Sequence, residues 1–163
     1  MFVDEVEKFN LIFENKIVDI HHIGSTSVPG LKAKPIIDIM IIVKDIELVD
    51  KYNQKMREIG YEPKGEHGIP GRRFFQKGGD KRSHHVHIYQ VGSYEIQRHL
   101  AFRDYLRKHP AVKKSYSKLK EKLTQQFPYD VESYVNGKDC FVKEIEVKTL
   151  DWYKEIRNNS VNV

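Results

Sequence analysis

The run IIDIMIIV, residues 36–43, constrains this chain more than any other stretch. Apolar residues fill every position but one, with no polar alternation, so the run reads as a central strand covered on both faces. A strand of that kind needs paired neighbours and packed layers, and 163 residues are enough to build them as one domain without disulfide or metal staples. The exception in the run is Asp38. A carboxylate inside an apolar strand is costly unless it has a partner or a metal, which makes Asp38 the first candidate for chemistry.

The segments around it read as follows. Residues 3–15 have Val6, Phe9, Ile12 and Phe13 at helical spacing, and IVDIHHI (17–23) reads as a strand. Asp45 can cap a helix carrying Val49, Tyr52, Met56 and Ile59, which Gly60 ends. GEHGIPGRR is a loop, and RFFQKG and HHVHIYQV read as two strands of a hairpin joined by GGDKRS. From residue 94 the pattern turns helical. A break at His109-Pro110 is followed by a helix with Val112, Tyr116, Leu119, Leu123 and Phe127, then one with Phe141, Ile145, Trp152 and Ile156. Strands first and helices after predict an α+β fold, a small mixed sheet with helices packed on it and a helical C-terminal part. One domain over 1–157 is expected, with 158–163 as a frayed polar tail.

Composition excludes several classes. With 39% hydrophobic and 31% charged residues the chain is not a disordered segment, and no apolar run is long enough for a membrane span. The single cysteine, Cys140, excludes an internal disulfide framework. The opening MFVDEVEKFN carries acidic residues where a signal peptide carries basic ones. A cytoplasmic location without membrane partners is therefore expected. The formal net charge of +5 favours anionic partners. Nucleic acid is disfavoured among them, because the basic cluster KKSYSKLKEK reads as the wet face of a helix with no aromatic-basic recognition motif.

HHIGSTSVPG (21–30) holds the second candidate. Gly24 allows a ligand close to the backbone, and Ser25, Thr26 and Ser27 offer hydroxyls and N–H groups to phosphate oxygens. An ordinary turn is the competing reading. Five residues separate Gly24 from Gly30, and Leu31 follows, so the P-loop spacing fails. Basic side chains that can neutralise phosphate are Lys32 and Lys34, then Arg72, Arg73 and Arg98, with surface salt bridges as the alternative. His85 and His87 share one face of their strand and, with Asp38, make a candidate metal site; hydrogen-bonded strand histidines are the alternative. The third position of a His-x-His-x-His motif is Tyr89, which disfavours a histidine-triad hydrolase.

A strand, a Gly-Ser turn and a second strand opening with a carboxylate is how nucleotidyltransferases build their sites. The segments HIGSTSVPGLKAKPIIDIMI, HHVHIYQVGS and LAFRDYLRKHPAVKKSYSKLK resemble the GrpB family, from about His22 to the helix near Trp152. That family looks related to the nucleotidyltransferase fold. The resemblance implies a sheet of that type, an NTP or other phosphorylated small molecule at the Gly24-Ser25 loop, and Asp38 as a metal-binding or base-orienting carboxylate. It also implies a divalent cation, Mg²⁺, Mn²⁺ or Zn²⁺. Active nucleotidyltransferases carry a second carboxylate two residues along, so that both point into the site. Here that position is Met40. One carboxylate with imidazoles suits Zn²⁺ or Mn²⁺ better than Mg²⁺. The competing expectation is a nucleotide- or phosphate-binding module without turnover.

Overall fold

The computed structural model describes residues 2–30 and 36–161. Its contacts gather into two compact units, residues 2–27 with 36–96, and residues 28–30 with 97–161.

The first unit is a five-stranded mixed sheet with short helices. Its strands are β1 (Ile17–Ile23), β2 (Ile37–Val43), β3 (Tyr61–Pro63), β4 (Arg73–Lys77) and β5 (His84–Gln90), in the order β1-β2-β5-β4-β3. β2 pairs antiparallel with β1 and parallel with β5. The β4–β5 hairpin and the β3–β4 pair are antiparallel. β2 is therefore an interior strand, as its apolar run predicts. β3, three residues with a proline at its end, lies at the edge, where proline is tolerated and where so short a segment leaves little pattern to read.

Helix α1 (Phe2–Phe13) opens with Asp4 and Glu5, which suit the positive end of the helix dipole. Its Phe9, Ile12 and Phe13 pack against Ile39, Ile41 and Val43 of β2, Val86 and Ile88 of β5, Phe75 and Tyr61. Each such side chain contributes roughly 1.5–3 kcal/mol on burial. After β2, Asp45 accepts from the Glu47 N–H at 3.0 Å and caps a 3₁₀ segment, Ile46–Tyr52, which runs into α2 (Asn53–Glu58). Val49 and Met56 from these turns close the same core. Because strand side chains alternate, Asp38, His85, His87, Phe74 and Gln76 all lie on the sheet face opposite α1.

In the second unit are α3 from Gln97 onward (the helix spans Tyr94–Lys108), α4 (Pro110–Gln126) and α5 (Val131–Val161). Pro110 opens α4 at a position where a missing N–H costs nothing. Leu106, Tyr116 and Val28 form its core with Phe102, Val112, Phe141 and Val142. Tyr116 stacks on Phe141 at 5.3 Å between ring centroids. α5 continues to Val161, into the stretch expected to fray, because no Gly or Pro follows Gly137 to stop it. No helix among the described residues is long and apolar enough to cross a membrane.

Candidate functional site

β1 ends in a tight turn. Gly24 has φ +72°, and Ser27 closes the turn onto the Gly24 carbonyl with its N–H at 3.1 Å and its hydroxyl at 2.5 Å. Glycine is required for a second reason, since a Cβ there would stand 2.8 Å from Asp38 Oδ2. The antiparallel register that sets Ile23 opposite Asp38 brings the turn against the carboxylate. Thr26 Oγ1 lies 2.9 Å from His22 Nε2. Two of the hydroxyls expected to hold phosphate thus take part in shaping the turn. What the turn presents is a left-handed Gly24 followed by the 3₁₀ residues Ser25–Ser27, a backbone concavity of the kind that collects anions.

Asp38 is drawn to β5 by the parallel register, which pairs it with His85 and places His87 beside Met40. Asp38 Oδ1 lies 3.2 Å from His87 Nε2 and 3.5 Å from His85 Nδ1. Burial pushes the Asp38 carboxyl up, but hydrogen bonds from His85 and His87 outweigh it and hold the group well below the usual carboxylate range. The side chain keeps 27% exposure, and Oδ2 faces the glycine turn. His87 is shifted downward as well: burial lowers its pKa and outweighs the pull of Asp38.

The charge of Arg72 adds to that lowering. Its guanidinium is buried, donating to the Glu66 carbonyl at 3.1 Å and the His67 carbonyl at 2.7 Å, and its Nη1 is 3.3 Å from His87 Nδ1. A guanidinium has no acceptor, so Nδ1 must offer its lone pair and the imidazole proton sits on Nε2, toward Asp38. The sequence offers Arg72 as a phosphate ligand; its link to His87, fifteen residues away across a loop, has no local signature.

The other expected residues are placed as follows. Arg73 faces the α1 side and pairs with Asp50, at 2.8 Å from Nε, so it is not part of the Asp38 cluster. Arg98 belongs to the second unit and pairs with Glu146 at 3.0 Å. Lys34, like Lys32, lies outside the described residues. Met40 is fully buried.

Asp38, His85 and His87 stand side by side, but as a hydrogen-bonded cluster. They fit a divalent metal poorly: His87 Nε2 carries the proton that faces Asp38, leaving one carboxylate and one imidazole where Zn²⁺ sites use at least three protein ligands. Among the described residues, no three His, Cys, Asp or Glu side chains are arranged to hold a metal ion.

The family described as GrpB protein matches residues 1–148. This chain is a member of the GrpB family. The UPF0157 protein YqkA of Bacillus subtilis is 51% identical over 159 residues, covering 98% of this chain and 46% of YqkA, so the chain spans about half of that relative's length. The crystal structure of the conserved protein GrpB from Enterococcus faecalis superposes with a TM-score of 0.90 at 48% identity, covering 93% of this chain and 92% of that one. The Cid1 poly(U) polymerase overlaps far more loosely, at 14% identity and a TM-score of 0.48 over 83% of this chain and 45% of that one, too distant a likeness to say what a GrpB protein does.

Proposed function

We propose that this GrpB protein binds an NTP or another phosphorylated small molecule at the end of β1, in a site of nucleotidyltransferase type. Phosphate oxygens sit on the backbone concavity at Gly24–Ser27, and Asp38 Oδ2 accepts a hydrogen bond from a ligand hydroxyl or base N–H. One observation carries this reading. Asp38 Oδ1 is tied to two imidazoles while Oδ2 is turned to the turn, in a carboxylate that stays ionised.

Its lowered pKa makes Asp38 a weak base, so its part in a transfer is orientation. An acceptor hydroxyl aligned by Oδ2 attacks the α-phosphorus, the bond to pyrophosphate breaks, pyrophosphate leaves and the hydroxyl proton passes to solvent. The second reading is a binding module without turnover. Met40 favours it, because the position of the usual second carboxylate is apolar and sealed in the core.

The test is a thermal-shift and calorimetric panel of the four common NTPs, with and without divalent cations, on the wild type and Asp38→Asn. A ligand at about 100 times its Kd stabilises the fold by about 2.7 kcal/mol. Asp38→Asn should bind at least several-fold more weakly; equal binding by both proteins refutes the site. Release of pyrophosphate from a bound NTP separates the enzyme from the module.

A further inference from the structure

We propose that Arg72 stands where a metal ion would in this site. As a positioning residue it fixes His87 as the donor to Asp38, which leaves Oδ2 free to face the Gly24 turn. The proposal concerns the site described above but is tested without a nucleotide.

The loop before β4 is built around this guanidinium. Glu66 accepts from the Gly71 N–H at 2.5 Å, closing the loop on itself, so that the Glu66 and His67 carbonyls converge on Arg72. His67 stacks on Phe74 at 4.9 Å, and the guanidinium carbon lies 4.9 Å from the centre of the same ring. Arg72 is only 6% exposed, yet no carboxylate among the described residues is within ion-pair distance of it. A buried cation without a counter-ion is expensive. The charge that compensates it is Asp38, on the far side of the His87 ring, at 3.3 Å from Arg72 to Nδ1 and 3.2 Å from Nε2 to Oδ1. The chain is cation, neutral imidazole, carboxylate, and each of its hydrogen bonds has one charged end.

The same chain works against a metal. A cation bound between Asp38 and His87 needs the Nε2 lone pair, which puts the ring proton on Nδ1. There it would face an Arg72 N–H, donor against donor. The guanidinium, which cannot give up a proton, therefore selects the tautomer that cannot ligate.

The test reads the imidazole directly. Long-range ¹⁵N–¹H spectra of the labelled full chain at neutral pH, with His87 assigned through His87→Gln, should show Nδ1 bare and Nε2 protonated. Excess Zn²⁺ or Mg²⁺ should leave the His87 signals in place. Arg72→Met should leave Nδ1 able to take the ring proton when a metal claims Nε2, and so bind Zn²⁺ about tenfold more tightly than the wild type, about 1.4 kcal/mol, in competition with a chelator. Arg72→Lys should keep the wild-type tautomer.

A wild-type His87 protonated on Nδ1, or one whose signals move with stoichiometric Zn²⁺, overturns the proposal. So does an Arg72→Met protein that is merely less stable, with Zn²⁺ affinity unchanged. If Arg72→Met does not fold, the wild-type spectrum decides. A chain that binds no NTP can still show the expected spectrum, so the two readings fail separately.

Discussion

Asp38 pays for its place in an apolar strand by holding two imidazoles on one oxygen. Asp38→Asn keeps the shape but removes the charge, and it leaves buried Arg72 facing a neutral chain. The expected loss is about 1–3 kcal/mol by chemical denaturation, the range for a hydrogen-bonded buried group that loses its charged partner. Gly24→Ala attacks the same contact from the other side. A left-handed Cβ costs about 1–2 kcal/mol, and this one would also press on Oδ2 from 2.8 Å. The alanine protein should therefore be less stable and lose phosphate binding together; full binding in a destabilised protein would show that the turn is not the site.

At the scale of elements, the second charged cluster joins α1 to β3 and β4. Glu5 is 4% exposed, accepting from the Tyr61 hydroxyl at 2.7 Å and from Lys77 and Lys8, each at 3.2 Å. Burial raises the Glu5 pKa, but the hydrogen bonds from Tyr61, Lys77 and Lys8 outweigh it and the net shift is downward. A carboxyl whose folded pKa lies below its unfolded one contributes stability that is present above the ordinary Glu range and lost as pH falls through the folded value. Stability should thus fall on acidification below pH of about 4.3, and Glu5→Gln should flatten that part of the profile. Tyr61→Phe removes one donor from a buried carboxylate and should cost about 1–3 kcal/mol in urea unfolding. An acid limb unchanged in Glu5→Gln would mean that other carboxylates carry it.

For the molecule as a whole, the question is whether the two units fold separately. Residues 28–30, which follow β1 in the chain, belong to the second unit, and Val28 packs with Leu106 and Tyr116. Neither unit is therefore one continuous piece of chain, and a cut near residue 96 cannot release the second unit complete. We expect one cooperative unfolding transition. Trp152, the only tryptophan, lies on α5 and reports the second unit, while the amide infrared band of the strands reports the first. The two signals should change at the same denaturant concentration; separated midpoints would make the units independent domains.

What could be read in advance follows from the range of the interactions. Apolar spacing and the Gly and Pro stops marked α1, the four longer strands and all three late helices, because those patterns are local. The order GST, turn, IID brought Gly24 and Asp38 together, since neighbouring strands joined by a short connection pair with each other. The alternation of β5 also set His85 and His87 on one face. The tertiary structure decided the rest. It paired β2 with β5 in parallel, from Ile37 opposite His84 to Val43 opposite Gln90, and only that register puts the histidines on Asp38. It also sent adjacent Arg72 and Arg73 to different partners, Arg72 at the end of the loop before β4 to His87, and Arg73, the first residue of β4, to Asp50. Charge and residue type are written in the chain; which charge meets which is settled by strand register.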